Sequence, residues 1–153
     1  MTAPAAPQRV LVTGATGVVG VHAVPLLIAR GHEVTAIGRS EDKRTHLESL
    51  GARAVALDVL DESAARAALG GIDVVINLAT HMPSSAMKML LPWSWKENDR
   101  VRREGSAALA RAARAAGVRR FMQESFAPIY EDGGDRWIDA SGSARSRQPQ
   151  TSR

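Results

Sequence analysis

The most constraining feature of the sequence is a short apolar run that leads into three evenly spaced glycines. Residues 9–13 read Arg-Val-Leu-Val-Thr, a pattern typical of a buried strand. Gly14, Gly17 and Gly20 come next, and residues 18–30 carry apolar side chains at helical spacing. A strand that passes through a glycine turn into an amphipathic helix is typical of α/β folds, in which the following strand runs parallel to the first.

The rest of the chain repeats this alternation, so we predict a doubly wound parallel sheet of five strands in the order 3-2-1-4-5, with helices on both faces. Asp61 is expected to cap the third helix. The predicted strands are residues 9–13, 32–38, 53–57, 73–78 and 119–124, and the predicted helices are residues 18–30, 42–50, 61–69 and 98–116.

Composition indicates an ordinary globular protein. The 153 residues are 44% hydrophobic and 24% charged and include no cysteine. Most of the net charge of +4 comes from Arg145, Arg147 and Arg153, which have no acidic residue near them. No apolar run is long enough to span a membrane. We therefore expect a cytoplasmic protein with neither a membrane nor a nucleic acid as its partner.

Domain boundaries follow from the same composition. Residues 1–8 lack the apolar core of a signal peptide and are expected to form a flexible lead-in. Residues 9–139 are expected to form one domain. Residues 140–153 contain no apolar side chain larger than alanine, so we expect a disordered basic tail.

The glycine turn has the chemistry of a phosphate-binding loop. Glycine permits the tight turn, the close approach of a pyrophosphate to the backbone, and close packing of the helix on the sheet. The N–H groups of a helix that starts near Val18 would then face the anion. A turn that is merely short is the alternative. The predicted pyrophosphate-binding residues are Gly14, Ala15, Thr16, Gly17, Val18 and Gly20.

The end of the second strand predicts which dinucleotide binds. Arg39 is a planar, permanently charged group suited to a 2′-phosphate, and Ser40 can add a hydrogen bond. Glu41 and Asp42 follow and could instead bind the ribose hydroxyls, so NADP is favoured and NAD stays an alternative.

Two further strand ends complete the predicted site. Asp58 could accept a hydrogen bond from the adenine amino group, with Val59 against the ring, or it could simply cap the next turn. Leu78, Ala79 and Thr80 follow the fourth strand, beside the first, where ligands bind in open parallel sheets.

These motifs, together with Gly-Val-Arg-Arg-Phe-Met-Gln-Glu-Ser from Gly117 and the Ile-Tyr pair at Tyr130, resemble the short-chain dehydrogenase/reductase superfamily. The resemblance is to its extended and atypical branch, the NAD-dependent epimerase/dehydratase family, and it runs from Arg9 to Trp137. It implies a Rossmann-type NAD(P)-binding domain of an oxidoreductase or epimerase. It also implies a catalytic tyrosine, a lysine four residues later and a serine or threonine that polarises the substrate carbonyl.

The chain departs from that catalytic pattern. Its only tyrosine, Tyr130, matches a motif position that is not the catalytic one, and Gly134 stands four residues later. All lysines lie upstream, and Phe126 occupies the place of the polarising serine. Ser125 and His81 are the remaining catalytic candidates. The histidines have no metal-binding spacing, so no metal site is expected.

Family members continue into a substrate lobe, whereas residues 140–153 form a Ser/Arg/Gln string, so we expect a truncated or frame-shifted product. The Met/Trp-rich insertion at residues 81–97 could be a lid over an unknown small-molecule substrate, a homodimer surface or simple packing. Two functions stay open. The chain is either the nucleotide-binding portion of an oxidoreductase or epimerase, or a non-catalytic redox-sensor module.

Overall fold

The computed structural model describes residues 6–81, 85, 87 and 91–125. Its centre is a parallel sheet in the order β3-β2-β1-β4-β5, which confirms the predicted order. Each predicted strand is present, and the second to fifth are shorter than expected. The strands are β1 Arg9–Thr13, β2 Glu33–Ile37, β3 Arg53–Val55, β4 Val74–Asn77 and β5 Arg120–Gln123.

The first strand lies in the middle of the sheet because its side chains are apolar on both faces. Leu11 and Val12 are fully buried and point to opposite faces. Val10 pairs with Val34 of β2 on one side and with Val74 of β4 on the other. The carboxyl end of β1 therefore opens between two neighbouring strands.

Helices cover both faces and divide the core into two layers. The helices are α1 Gly20–Ala29, α2 Glu41–Ser49, α3 Glu62–Ala68, α4 Lys96–Arg100 and α5 Ser106–Ala115. One layer contains Val12, Val24 and Leu47 under α1 and α2, and the other contains Leu11, Leu69 and Leu109 under α3 and α5. None of the described helices is long and apolar enough to cross a bilayer.

Helix boundaries follow the predicted signals in most places. The Asp61 side chain accepts a hydrogen bond from the Ala64 N–H at 3.0 Å, which confirms the predicted cap of α3. The helix predicted over residues 98–116 is instead α4, a π-helical turn Val101–Gly105, and α5. A 3₁₀ turn, Pro92–Trp95, precedes α4. Residues 82–84, 86, 88–90 and 126–153 lie outside the described part, so the predictions for the tail and most of the insertion fall there.

Charged side chains connect the amino ends of three strands. The Asp73 carboxylate accepts hydrogen bonds from the Arg9 backbone N–H at 2.9 Å and from Arg9 Nε at 3.3 Å. Arg119 Nη2 lies 3.6 Å from the other Asp73 oxygen. The hydrogen bond from the Arg9 backbone, followed by that from its guanidinium, holds the pKa of Asp73 below its ordinary value.

Candidate functional site

A cleft of about 660 Å³ lies across the carboxyl ends of β1, β2, β3 and β4, at the place where the order of the strands reverses. It brings together residues from the four loops that follow these strands, from α2, α3 and α4, and from the π-helical turn. The predicted residues that line it are Gly14, Thr16, Gly17, Arg39, Asp58, Val59, Leu78, Ala79 and Thr80. Ala15 and Gly20 are buried beneath the turn, whereas Val18 and Ser40 are exposed beside the cleft.

The glycine turn is shaped by contacts that leave no space for side chains. Gly14 has φ +64°, and a Cβ atom there would lie 2.2 Å from the carbonyl oxygen of Leu78. A Cβ at Gly20 would lie 2.3 Å from the carbonyl oxygen of Gly14. The first glycine thus lets β1 turn beside the end of β4, and the third lets α1 begin directly against the turn.

Helix α1 begins at Gly20, later than the start predicted near Val18. The Gly17 N–H donates to the carbonyl of Gly14, and the Val21 N–H donates to that of Gly17. Within the described residues the N–H groups of Val18 and Val19 donate to no protein acceptor. These are donors of the kind that bind an anion at the start of a helix.

The charged side chains that follow β2 differ in whether they line the cleft or contact the protein. Arg39 and Lys43 both line the cleft and, among the described residues, make no ion pair or side-chain hydrogen bond. Arg44 instead donates from Nη1 to the Gly38 carbonyl at 3.2 Å. Glu41 and Asp42 occupy the first turn of α2, where acidic side chains stabilise a helix, and they do not line the cleft.

Asp58 caps the turn before α3 and also lies where it could accept a hydrogen bond from a ligand. Its Oδ1 accepts a hydrogen bond from the Leu60 N–H at 3.0 Å, which fixes the turn before α3. The residue also lines the cleft, next to Val59. Because the turn uses only Oδ1, the second carboxylate oxygen stays available for a ligand.

Asn77 organises the end of β4 through a buried hydrogen-bond network. Its side chain is 1% exposed and bonds to Thr13 Oγ1, Ser106 Oγ at 3.0 Å and Gln123 Oε1 at 2.7 Å. The Ala79 N–H donates to Asn77 Oδ1 at 3.3 Å. The network therefore positions the backbone that carries Leu78, Ala79 and Thr80 into the cleft.

Neither of the two catalytic candidates lines the cleft. The His81 backbone N–H donates to Oδ1 of the buried Asn98 at 3.1 Å, which joins the end of the β4 loop to α4. Ser125 is exposed two residues after β5. Within the described ranges no three histidine, aspartate or glutamate side chains are grouped as a metal site would require.

Sequence reasoning missed several residues of the cleft wall. Lys43 lies in the first turn of α2, four residues after Arg39. Glu97, Arg100 and Val101 come from α4 and the π-helical turn, far away in sequence, and no local signal pointed to them. Leu60 and Ala64 close the same side of the cleft.

The sequence matches the NAD(P)H-binding family over residues 14–147. A 3-diazoavenalumate denitrifying reductase from a Streptomyces species is 35% identical, over 87% of this chain and 45% of the reductase. A UDP-glucose-4-epimerase from Stenotrophomonas maltophila, solved with bound NAD, has a similar fold, with a TM-score of 0.74 and 24% identity over 90% of this chain and 43% of the epimerase.

A short-chain dehydrogenase/reductase superfamily protein from Agrobacterium tumefaciens, also solved with NAD, gives a TM-score of 0.64 and 30% identity over 80% of this chain and 34% of that protein. The chain thus spans less than half the length of each of these three proteins. Because the family match covers most of the chain and the cleft occupies the dinucleotide position of the fold, the chain belongs to the NAD(P)H-binding family. It is a Rossmann-type domain that binds a nicotinamide dinucleotide, and its fold is similar to those of the epimerase and of the short-chain dehydrogenase/reductase superfamily protein.

Proposed function

We propose that the cleft binds NADP(H) in preference to NAD(H), with the 2′-phosphate held between Arg39 and Lys43. The observation that carries this proposal is that Arg39 and Lys43 line the cleft with no ion-pair or side-chain hydrogen-bond partner in the part of the chain that the structure describes, whereas Arg44 is bound to the Gly38 carbonyl. Glu41 and Asp42, which could have bound ribose hydroxyls, lie outside the cleft lining. A guanidinium and an ammonium that line the same cleft match a phosphate dianion in charge and can both donate hydrogen bonds to it.

The other parts of the dinucleotide are assigned to the loops after β1, β3 and β4. The pyrophosphate lies over the turn formed by residues 14–20, where the Val18 and Val19 N–H groups donate to it. The adenine amino group donates to Asp58, and the ring lies against Val59. The nicotinamide end lies over Leu78, Ala79 and Thr80.

The proposed activity is that of the cofactor-binding portion of an oxidoreductase or epimerase acting on a small-molecule substrate. The bound nicotinamide supplies hydride transfer. The protein's own part is to hold the ring and to exclude water from one of its faces. Ser125 and His81 stay the candidates for contact with substrate, and a homodimer and a cytoplasmic location stay part of the proposal.

A non-catalytic redox-sensor module is the second candidate function. It is supported by the sequence, in which the only tyrosine is Tyr130, Gly134 stands four residues later and no lysine follows Lys96. A tyrosine needs a nearby cation to lower its pKa enough to act as an acid or base at neutral pH. The two candidates differ in one measurement, because only the first predicts hydride transfer to an added carbonyl compound by the chain or by a longer product that contains it.

The test of cofactor choice is a titration of the chain with NADPH and NADH, followed by nucleotide fluorescence. Wild-type protein should bind NADPH more tightly. Arg39→Ala should weaken NADPH binding by about 10- to 100-fold, the value of one or two charge-assisted hydrogen bonds to phosphate, and leave NADH binding nearly unchanged. Lys43→Gln should do the same to a smaller extent.

Two matched variants control for charge alone. Arg53 is an exposed arginine at the amino end of β3, and Lys96 is an exposed lysine of α4 outside the cleft lining. Arg53→Ala and Lys96→Gln should leave the ratio of NADPH to NADH affinity unchanged. Equal losses for both nucleotides in Arg39→Ala, or a wild-type preference for NADH, would overturn the NADP assignment.

A further inference from the structure

Gly105 is a point of close contact between the loop after β3 and the helical segment formed by α4, the π-helical turn and α5. It is buried, and a Cβ atom added to it would lie 2.9 Å from Val59 Cγ2, 3.6 Å from Val59 Cβ and 3.8 Å from Leu60 Cδ2. The first of these distances is shorter than any ordinary carbon contact. The helical segment can therefore pack against Val59 only because residue 105 has no side chain.

That packing shapes the cleft as well as the core. Val59 and Leu60 line the cleft beside Asp58, and Val101, at the start of the π-helical turn that Gly105 ends, lines it from the helical side. Both the helical segment and the β3 loop thus contribute to the wall of the cleft. A π-helical turn is a local irregularity often found at functional sites.

We propose that Gly105 is a positioning residue for the adenine ring, which sets the width of the slot between Val59 and Val101. The proposal rests on the proposed function, because it assumes that the adenosine end of the dinucleotide lies beside Asp58 and Val59. An added methyl group pushes either Val59 into the slot or the helical segment, with Val101, away from it. Either movement spoils the fit of a flat ring, because packed interiors adjust poorly to one extra carbon.

The test measures dissociation constants of NADPH, NADH and 2′,5′-ADP for the wild-type chain and for Gly105→Ala, well below the midpoint of thermal unfolding. We expect Gly105→Ala to raise the dissociation constants of all three ligands by a common factor of about ten. The common factor separates this effect from Arg39→Ala, which distinguishes NADPH from NADH. The loss for 2′,5′-ADP, which has no nicotinamide, assigns the effect to the adenosine end.

A double variant that also removes the methyl groups of Val59 tests whether the contact between residues 105 and 59 causes the effect. Val59→Ala deletes the Cγ2 atom that the new methyl group would meet, so the double variant Gly105→Ala/Val59→Ala should bind as Val59→Ala does. If Gly105→Ala does not fold, the double variant should fold and give the same result. Gly70→Ala is the matched control, because its nearest contact would be an ordinary 3.6 Å to the Ala67 carbonyl oxygen.

Two results would overturn the proposal. One is a Gly105→Ala variant that binds with wild-type dissociation constants, whether or not its midpoint of unfolding is lowered. The other is a double variant that binds more weakly than Val59→Ala or does not fold. Failure of the wild-type chain to bind any of the three ligands would instead contradict the proposed function, so the two failures are distinguishable.

Discussion

Charged side chains have different partners at the amino ends and at the carboxyl ends of the strands, which we call the amino edge and the carboxyl edge of the sheet. At the amino ends of the strands, Arg9 and Arg119 both lie within 3.6 Å of the Asp73 carboxylate, so that the positive and negative charges are internally paired. At the carboxyl ends, Arg39 and Lys43 line the cleft and have no charged partner in the described part of the chain. The arginines at the amino ends have a carboxylate partner, whereas these two cations at the carboxyl ends face the cleft.

Helix direction makes cations at the carboxyl edge unfavourable for the protein alone. In a parallel sheet the helix after each strand begins at that edge, so the partial positive charges at the starts of α1 and α2 lie there. Lys43, in the first turn of α2, adds a charge of the same sign. Under the proposed function, contact with a phosphate offsets this cost, and variants at each edge test the difference.

The largest effect is expected where the carboxyl edge depends on close backbone contact. Gly14→Ala should lower the free energy of unfolding by roughly 3 kcal/mol or more, because the new methyl group meets the Leu78 carbonyl and the residue has positive φ. Gly31→Ala is the control, with φ +81° and no atom within 4 Å of the added carbon. It should cost only about 1–2 kcal/mol of backbone strain. Urea denaturation measures both, and equal losses would contradict the role of the Leu78 contact.

The amino edge should respond to pH. The folded-state pKa of Asp73 is lowered, so its contribution to stability is present above the unfolded-state pKa and is lost as pH falls through the folded-state value. Urea midpoints of the wild type and Asp73→Asn should therefore differ most near about pH 7 and converge below about pH 4. A difference that stays constant over this range would show that ionisation of Asp73 does not stabilise the fold.

The smallest effect is expected at Lys43 in the absence of nucleotide. Lys43→Gln removes a positive charge from the first turn of α2 and should raise the free energy of unfolding by roughly 0.3–1 kcal/mol at low salt. The same variant should weaken NADPH binding. Asp42→Asn, in the same turn, should have the opposite effect on stability. A loss of stability in Lys43→Gln would show that Lys43 serves the fold and not the ligand.

Local sequence signals predicted the fold well. The strand order was predictable because each strand is a short apolar run and each helix has its own boundary signals, such as Asp61 at the start of α3. The break in the helix after the insertion was not predictable. Residues 98–116 are rich in alanine and arginine, which favour an uninterrupted helix, and the close approach of Gly105 to Val59 becomes visible only once the helix is packed.

The residues of the candidate site were predictable where the turn of the backbone places them. They were less predictable where the direction of a side chain decides whether it faces the cleft. Gly14, Gly17 and Arg39 were identified from their places at strand ends, and all three line the cleft. Ser40 directly follows Arg39 but does not line the cleft, whereas Lys43 lines it. Neighbouring residues at a strand-to-helix junction point in different directions, so their order in the sequence cannot say which of them face the ligand.

The sequence by itself determined the alternation of strands and helices, the glycine turn and the position of the cleft, because periodicity and glycine act over a few neighbouring residues. The tertiary structure alone decided which charges face the cleft, which partners Asn77 binds on β1, β5 and α5, and how closely the helical segment approaches Val59. These features join residues that are distant in sequence, and their contacts exist only after the sheet and helices have packed.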